Sequence, residues 1–475
     1  QKMKRTRLFI LIGGSLIAAQ AGGSLAMAEE SNSAFSHEPL ASSDSVAIWT
    51  MDDCIAYALE HSNGVKRAEL SLSTAKMEQT AAVADFFPSL AASASGQFSW
   101  GRNIDPETNT YKDVTTFGSG YGLYTSLTVF DGGQTVNRFR QARLNKRASQ
   151  NSLDVAKEEK AIEVMMAFAD VVYYQGAVSL AEDKRNDSEK VFIKTQRQEE
   201  LGVKSLPEVA QARAQFADDE YQLVHLRNTL EMAKVKLCNA MNFPISGENV
   251  AAGKTSGKSE PFFCDTSIIF NNVERQLDDV DEIFAHASCS NPRALKSELE
   301  MKASKMDYRI AQGSLLPSIS LSAGISTNYY KTLTSDYVAA SFRDQFKNNF
   351  GQYVGASLNI PIFSNLSRVS RIKRAKNNWR SAVLEHDDNL RQLYSDILQA
   401  VRDRDGFAEE ILSLENKRDA DRLAYSLNRR KYEEGMLSVI DLQISANQYY
   451  NTRLTLLQKK MLYVIKDKLV EYYKK

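Results

Sequence analysis

The spacing of apolar positions along the chain switches between two periods, and it does so twice. From Trp49 onward, apolar and small residues recur at helical intervals through Ile55, Ala56, Leu59, Val65, Ala68, Leu72, Ala75 and Ala82. This predicts one helix from Asp52 until Phe86-Phe87-Pro88 stops it. Beyond Ser89 the period becomes 2. Leu90, Ala92, Ala94, Gly96, Phe98 and Trp100 alternate with small polar residues. A polar loop is expected from Gly101 to Gly120, with a returning strand from Tyr121 to Phe130 that carries Leu123, Thr125, Leu127 and Val129 on one side. After Asp131-Gly132-Gly133 a Pro-free helical segment runs from Gln134 to Glu200, about 100 Å at ~1.5 Å per residue. A turn at Leu201–Ser205 then starts a return helix, 205–241.

The same plan returns further along. Leu316-Pro317-Ser318 repeats Phe87-Pro88-Ser89 at an offset of 229 (88 to 317), and Gly435 repeats Gly202 at 233 (202 to 435). A second helix over Glu282–Gly313 leads into a hairpin, 318–362. One face of that hairpin reads Ile319, Leu321, Ala323, Ile325 and, on its partner, Val354, Ala356, Leu358, Ile360, Ile362. A long helix, 365–434, and a return helix, 438–475, follow. The domain reading is a first repeat over 49–241, a link over 242–281 at mid-height, and a second repeat over 282–475. The fold class is an α+β membrane protein with two long helices, four half-length helices and four barrel strands per chain.

Strands of about 11 residues with one apolar and one small-polar face suit tilted membrane strands. The aqueous alternative, a sheet packed on a core, is weakened by flanking helices too long to fold back as a cover. Four strands do not close a barrel, which needs about eight, and open edges are not tolerated in lipid. The barrel is therefore expected to be shared between chains, with Leu321, Ile325, Leu358 and Ile360 facing lipid and Pro88 and Pro317 marking the helix-to-strand switch.

The amino terminus supports export. Lys2, Lys4, Arg5 and Arg7 precede an apolar stretch, Leu8–Ala19, and Ala26-Met27-Ala28 reads as a cleavage site, so 1–28 is expected to be a signal peptide and 29–48 a flexible leader. Loss of that segment lowers Lys plus Arg from 59 to 55 against 59 Asp plus Glu. A near-neutral chain has no electrostatic reason to bind nucleic acid. The five histidines are scattered, and no metal, phosphate or nucleophile motif is present, so neither enzymatic activity nor a cofactor is expected. Cys54, Cys238, Cys264 and Cys289 fall near mid-height, as a bridge or as separate thiols. The apolar stretch Ala161–Ala181 carries Glu163 and Asp170, which favours a helix–helix seam over a membrane span.

The candidate site is the pair of turns. Gly202 and Gly435 suit left-handed helix ends, Ser205 and Ser438 cap the return helices, and Glu208 and Asp441 lie one turn inside them. Acids there compensate the helix dipole. Brought together by several chains, they form a charge ring at an aperture. Lys204, Arg429, Arg430 and Lys431 are near enough in sequence to pair with them.

The twofold repeat, Phe87-Pro-Ser-Leu90, Leu316-Pro-Ser-Ile319, Phe130-Asp-Gly-Gly133 and Tyr432-Glu-Glu-Gly435-Met-Leu-Ser438-Val-Ile-Asp441 together resemble the TolC-type outer-membrane efflux proteins. The resemblance covers essentially the whole mature chain. It implies a homotrimer with a 12-stranded barrel in the bacterial outer membrane and a helical tunnel in the periplasm. It also implies a periplasmic adaptor and an inner-membrane pump as partners, and Asp441 at an acidic gate position. Ile444 and Leu437 stand where the family carries a further acid and an arginine. The competing architecture is a non-conducting periplasmic coiled-coil scaffold.

Overall fold

The computed structural model describes residues 48–104, 109–243, 263–265, 273, 278–334 and 340–474. The expected signal peptide, the leader up to residue 47 and most of the 242–281 link lie outside the described residues. The elements in chain order are β1 (Ile48–Trp49), α1 (Met51–His61), α2 (Asn63–Ala84), β2 (Ser89–Ile104), β3 (Tyr111–Phe130), α3 (Gln134–Glu200) and α4 (Leu206–Met241). They continue with β4 (Phe263–Cys264), α5 (Val280–Ser290), α6 (Pro292–Gly313), β5 (Ser318–Thr332), α7 (Phe342–Asn348), β6 (Gly351–Asn359), α8 (Ser367–Glu433) and α9 (Val439–Lys474).

The two long helices each have 67 residues, and the two return helices each have 36. The expected helices 52–86 and 282–313 are each interrupted. Ser62 ends α1 and caps α2, and Asn291 ends α5 and caps α6; both have extended backbones, with ψ of 125° and 127°. The breaks sit 229 apart (62 to 291), the same offset as the prolines. Their cause is local. The Ser62 Oγ accepts from the Gly64 amide at 3.2 Å, and Asn291 precedes Pro292, which disfavours helical backbone before it.

Each short helix then turns into a strand in the same way. The Phe86 and Phe87 amides donate to Val83 and Ala84, the Leu315 and Leu316 amides donate to Gln312 and Gly313, and Pro88 or Pro317 releases the chain into β2 or β5. On the return, Asp131-Gly132-Gly133 reverses the chain at positive φ. A Cβ on Gly132 would lie 2.3 Å from the Gly313 carbonyl oxygen, so only glycine fits there. The second copy makes this turn with Asn365 and Leu366, both at positive φ.

The four long strands form one antiparallel sheet in the order β2-β3-β5-β6, leaving β2 and β6 as open edges. The strands depart from expectation in length. β2 and β3 run on through Ile104 and from Tyr111, so most of the expected loop 101–120 is strand, because Gly101–Ile104 pair with Val114–Tyr111. β6 stops at Asn359, so Ile360 lies just past the strand, directly before Pro361, which has no amide hydrogen to continue the ladder. The helix α7 was not foreseen; its Gln345 side chain binds the backbone of Tyr330 on β5.

Register aligns like with like. Leu90, Thr125, Ala323 and Val354 form one row, and Leu127, Leu321 and Ala356 another. Ser89, Ser126, Ser322 and Gly355 form a row on the opposite face. Leu321, Ile325 and Leu358 are all exposed; beyond Ile325, α7 packs Phe342 and Phe346 against Tyr121 and Tyr329 of the same face. A sheet whose apolar face is largely uncovered and whose two edges are open does not belong to a water-filled surround.

The cores lie along the helices. In the first repeat Met51, Cys54 and Ala58 of α1 meet Val164, Ala167, Phe168, Val171 and Val172 of α3 and Leu237 and Met241 of α4. This places the apolar stretch 161–181 of α3 in a seam, as expected from its charges. In the second, Ile283 and Ala287 of α5 meet Leu393, Ile397, Ala400 and Val401 of α8 and Val470 of α9. Cys54, Cys238 and Cys289 are free thiols; the Cys264 side chain lies outside the described residues. Burial pushes the Cys54 thiol up to about 12, so it is inert.

Candidate functional site at the helical turns

The two turns that join each long helix to its return helix are built alike. In the first, the Val203 amide donates to the Gln198 carbonyl at 2.8 Å and the Gly202 amide to Glu199 at 2.8 Å. In the second, the Met436 amide donates to Lys431 at 2.8 Å and the Gly435 amide to Tyr432 at 3.1 Å. Both are Schellman ends, which require a left-handed residue. Gly202 (φ 74°) and Gly435 (φ 76°) supply it with open space where a Cβ would stand, so the requirement is conformational and not steric.

The two acids differ in how they are held. One oxygen of Glu208 accepts from the Lys204 ammonium at 2.7 Å. The other accepts from the Ser205 amide and hydroxyl, each at 3.0 Å. The Lys204 ammonium and then the Ser205 amide hold the Glu208 carboxyl down at about 2. Asp441 accepts only the Ser438 hydroxyl at 2.7 Å, while its own amide donates back to that oxygen at 3.2 Å, and it is exposed. No ion pair joins either acid to Arg430 or Lys431 among the described residues. Arg429 pairs instead with Asp187 (3.6 Å) and Glu433 (3.5 Å).

Behind the turns lies a polar network that sequence reasoning missed. The Tyr425 and Tyr450 hydroxyls donate to one oxygen of Asp187 at 3.2 and 2.9 Å, which ties α8 and α9 to α3. Burial and then the Asp187 charge raise both phenols, so they remain donors at any physiological pH. Tyr432 is buried, with its hydroxyl 2.5 Å from Thr195 of α3. The Asp219 side chain, 1% exposed, pairs with Lys184 at 2.9 Å and accepts from Gln215 at 2.9 Å. The tyrosine bonds join the two repeats just above the turns, around Ala212, Val439 and Leu442, and the Asp219–Lys184 pair ties α4 to α3 within the first. The signal for them was the placement of Tyr425, Tyr432 and Tyr450 on inward helix faces, which a single strand of periodicity does not separate from packing.

Comparison with known proteins agrees with this architecture. The family described as outer membrane efflux protein matches residues 54–242 and 285–466. The chain belongs to the outer membrane efflux protein family. It is 19% identical to the probable outer membrane lipoprotein SilC of Salmonella typhimurium, over 85% of this chain and 80% of that protein. It is 20% identical to the cation efflux system protein CusC of Escherichia coli (strain K12), over 85% and 81%. A crystal structure of CusC superposes with a TM-score of 0.75 at 16% identity, covering 92% of this chain and 95% of that one. The outer membrane protein VceC of Vibrio cholerae gives 0.74 at 16%, over 89% and 95%. The family's fold is thus this chain's fold: a channel that combines barrel strands in the outer membrane with a helical portion in the periplasm. The two segments matched by the family flank the link, so the relationship rests on the repeats.

Proposed function

We propose that the chain is the outer-membrane exit duct of a multi-part efflux or secretion system. It works as a homotrimer in which three four-stranded sheets close one twelve-stranded barrel and α3, α4, α8 and α9 of each chain build the periplasmic tunnel. The observation that carries this reading is the sheet β2-β3-β5-β6. Its apolar face is exposed at Leu321, Ile325 and Leu358 and both its edges are open, and a lipid environment accepts such a sheet only once the edges are paired. A periplasmic adaptor engages the turns at Gly202, Ser205, Gly435 and Ser438, and an inner-membrane pump drives cargo. Three copies of exposed Asp441 line the aperture. Glu208, consumed by Lys204 and Ser205, contributes structure to it and little free charge.

Two measurements test this. Light scattering of the detergent-purified protein is expected to give a trimer; a folded monomer overturns the shared barrel. In planar bilayers, Asp441→Asn is expected to lower cation selectivity and divalent-cation block, and Glu208→Gln to change them much less. Unaltered selectivity in Asp441→Asn places the constriction elsewhere.

A further inference from the structure

The first turns of both long helices carry only one sign of charge. Between Gln134 and Leu153 there are five Arg or Lys and no Asp or Glu; between Ser367 and Leu384 there are six and none. Four of these positions repeat between the copies at an offset of 233: Arg138 with Arg371, Arg140 with Lys373, Arg143 with Lys376, and Arg147 with Arg380. Both copies thus carry the same charge at four matched sites on this level of the molecule.

The four sites fall on two faces. At ~100° per residue, Arg140, Arg143 and Arg147 lie about 140–200° around α3 from Arg138, and Lys373, Lys376 and Arg380 lie likewise from Arg371 on α8. Arg371 borders a cavity of about 470 Å³ with Arg368, Arg374, Ser318 and Asn359. Ser318 and Asn359 pair with each other on the small-polar face of the sheet, which is the lumen side if Leu321 and Leu358 face lipid. The six remaining side chains therefore lie on the side that continues the apolar strand face. None of the six makes an ion pair among the described residues, whereas Arg138 pairs with Asp131 at 3.3 Å and reaches Asp85 at 3.9 Å.

We propose that Arg140, Arg143, Arg147, Lys373, Lys376 and Arg380 form a collar that binds anionic phospholipid headgroups in the leaflet on the helical side of the membrane. The inference rests on the barrel assignment of the proposed function. Charge complementarity and continuity with the lipid-facing strands select the occupant. Phosphodiesters lie just below the hydrocarbon layer, and long cationic side chains reach up to them while their stems stay on the helix. The contribution falls with depth. Arg140 and Lys373 start about 9 Å along their helices and Arg147 and Arg380 about 20 Å, against a screening length of roughly 8–10 Å.

The test uses the intact oligomer in nanodiscs of phosphatidylcholine, alone or mixed with phosphatidylglycerol, with native mass spectrometry of the lipids it retains. Preferential retention of phosphatidylglycerol, weakened by added salt, is expected. Replacing all six residues by Gln is expected to reduce the preference about tenfold or more, with Arg140→Gln plus Lys373→Gln contributing most. Arg138→Gln with Arg371→Gln serves as the opposite-face control and is expected to keep it. No preference in the unaltered protein overturns the collar, as does loss in the control variant alone, which assigns the charge to the lumen. Conductance in pure phosphatidylcholine separates the two readings: a channel that conducts there without lipid preference keeps the duct and removes the collar. If the six-fold variant does not assemble, the salt series on the unaltered protein decides, since an electrostatic collar must weaken with ionic strength.

Discussion

The equators of the two repeats occupy matching helices and part company at one buried position. In the first, Val164, Ala167, Phe168 and Val171 of α3 are sealed under α1, with no charge among them. In the second, the residues 233 further on are Ile397, Ala400, Val401 and Arg404. Arg404 is as buried as Val171. Its guanidinium binds Asp278 at 2.6 Å and Asp405 at 2.8 Å, and Asp278 is also held by Lys474 at 2.8 Å. Burial by itself would raise the Asp278 carboxyl, but hydrogen bonds from Lys474 and Arg404 hold it below its usual range. The repeat thus preserves where a helix face must be occupied, not the chemistry that occupies it. A valine seam gains from apolar area alone. An arginine in the same place is stable only because the chain supplies carboxylates beside it.

The most damaging way to break this contrast is Val171→Arg. The first seam has no carboxylate positioned to meet the new charge, so a loss of at least about 4–5 kcal/mol is expected, read as failure to recover folded oligomer from membranes. Normal yield would mean the seam opens to water more readily than its burial indicates. Next comes Arg404→Ala, which strands Asp405 and leaves Asp278 to Lys474. A cost of about 3 kcal/mol is expected, seen as a lower melting midpoint at fixed scan rate. Arg404→Met refills the space but strands the same carboxylates, so it is expected to recover only the cavity part, for a cost of about 2 kcal/mol. Should the two variants melt together, charge and not packing governs the site.

The smallest effect concerns the turns, which contrast in the same manner. Glu208 is fully bound and Asp441 is held by one hydroxyl. A carboxyl depressed in the folded state stabilises it above its ordinary pKa and loses that contribution as pH falls through the folded value. Hydrogen exchange in the segment 201–212, corrected for its intrinsic rate, is therefore expected to rise progressively as pH falls from 4.5 towards about 2. Glu208→Gln is expected to abolish that dependence. An acid response unchanged in Glu208→Gln would assign it to other carboxyls.

Much of the fold was legible because its signals are local. A change of hydrophobic period from 3.6 to 2, a proline at each switch and a glycine at each turn act within a few residues, and duplication displayed each of them twice. Residue-level failures were local too, but subtler. Ser62 and Asn291 break helices through caps that look like ordinary polar positions, and the ladder beyond Gly101 is held by partners rather than by its own alternation. At the turns, the sequence indicated both acids but not their inequality, which depends on where Lys204 places its ammonium.

By itself the sequence determined the order of the long helices and strands, the repeat and the amphipathic strands, since propensity and periodicity are properties of neighbours along the chain. Only the tertiary structure decided which polar groups are neutralised. Tyr450 and Asp187 are 263 residues apart, and Arg404 and Asp278 are 126 apart. Partners so distant are brought within 3 Å by helix packing, and no local pattern encodes the register at which two helices meet. The inequality of the two acids is local by contrast: Lys204 lies four residues before Glu208, and Leu437 holds the matching place before Asp441.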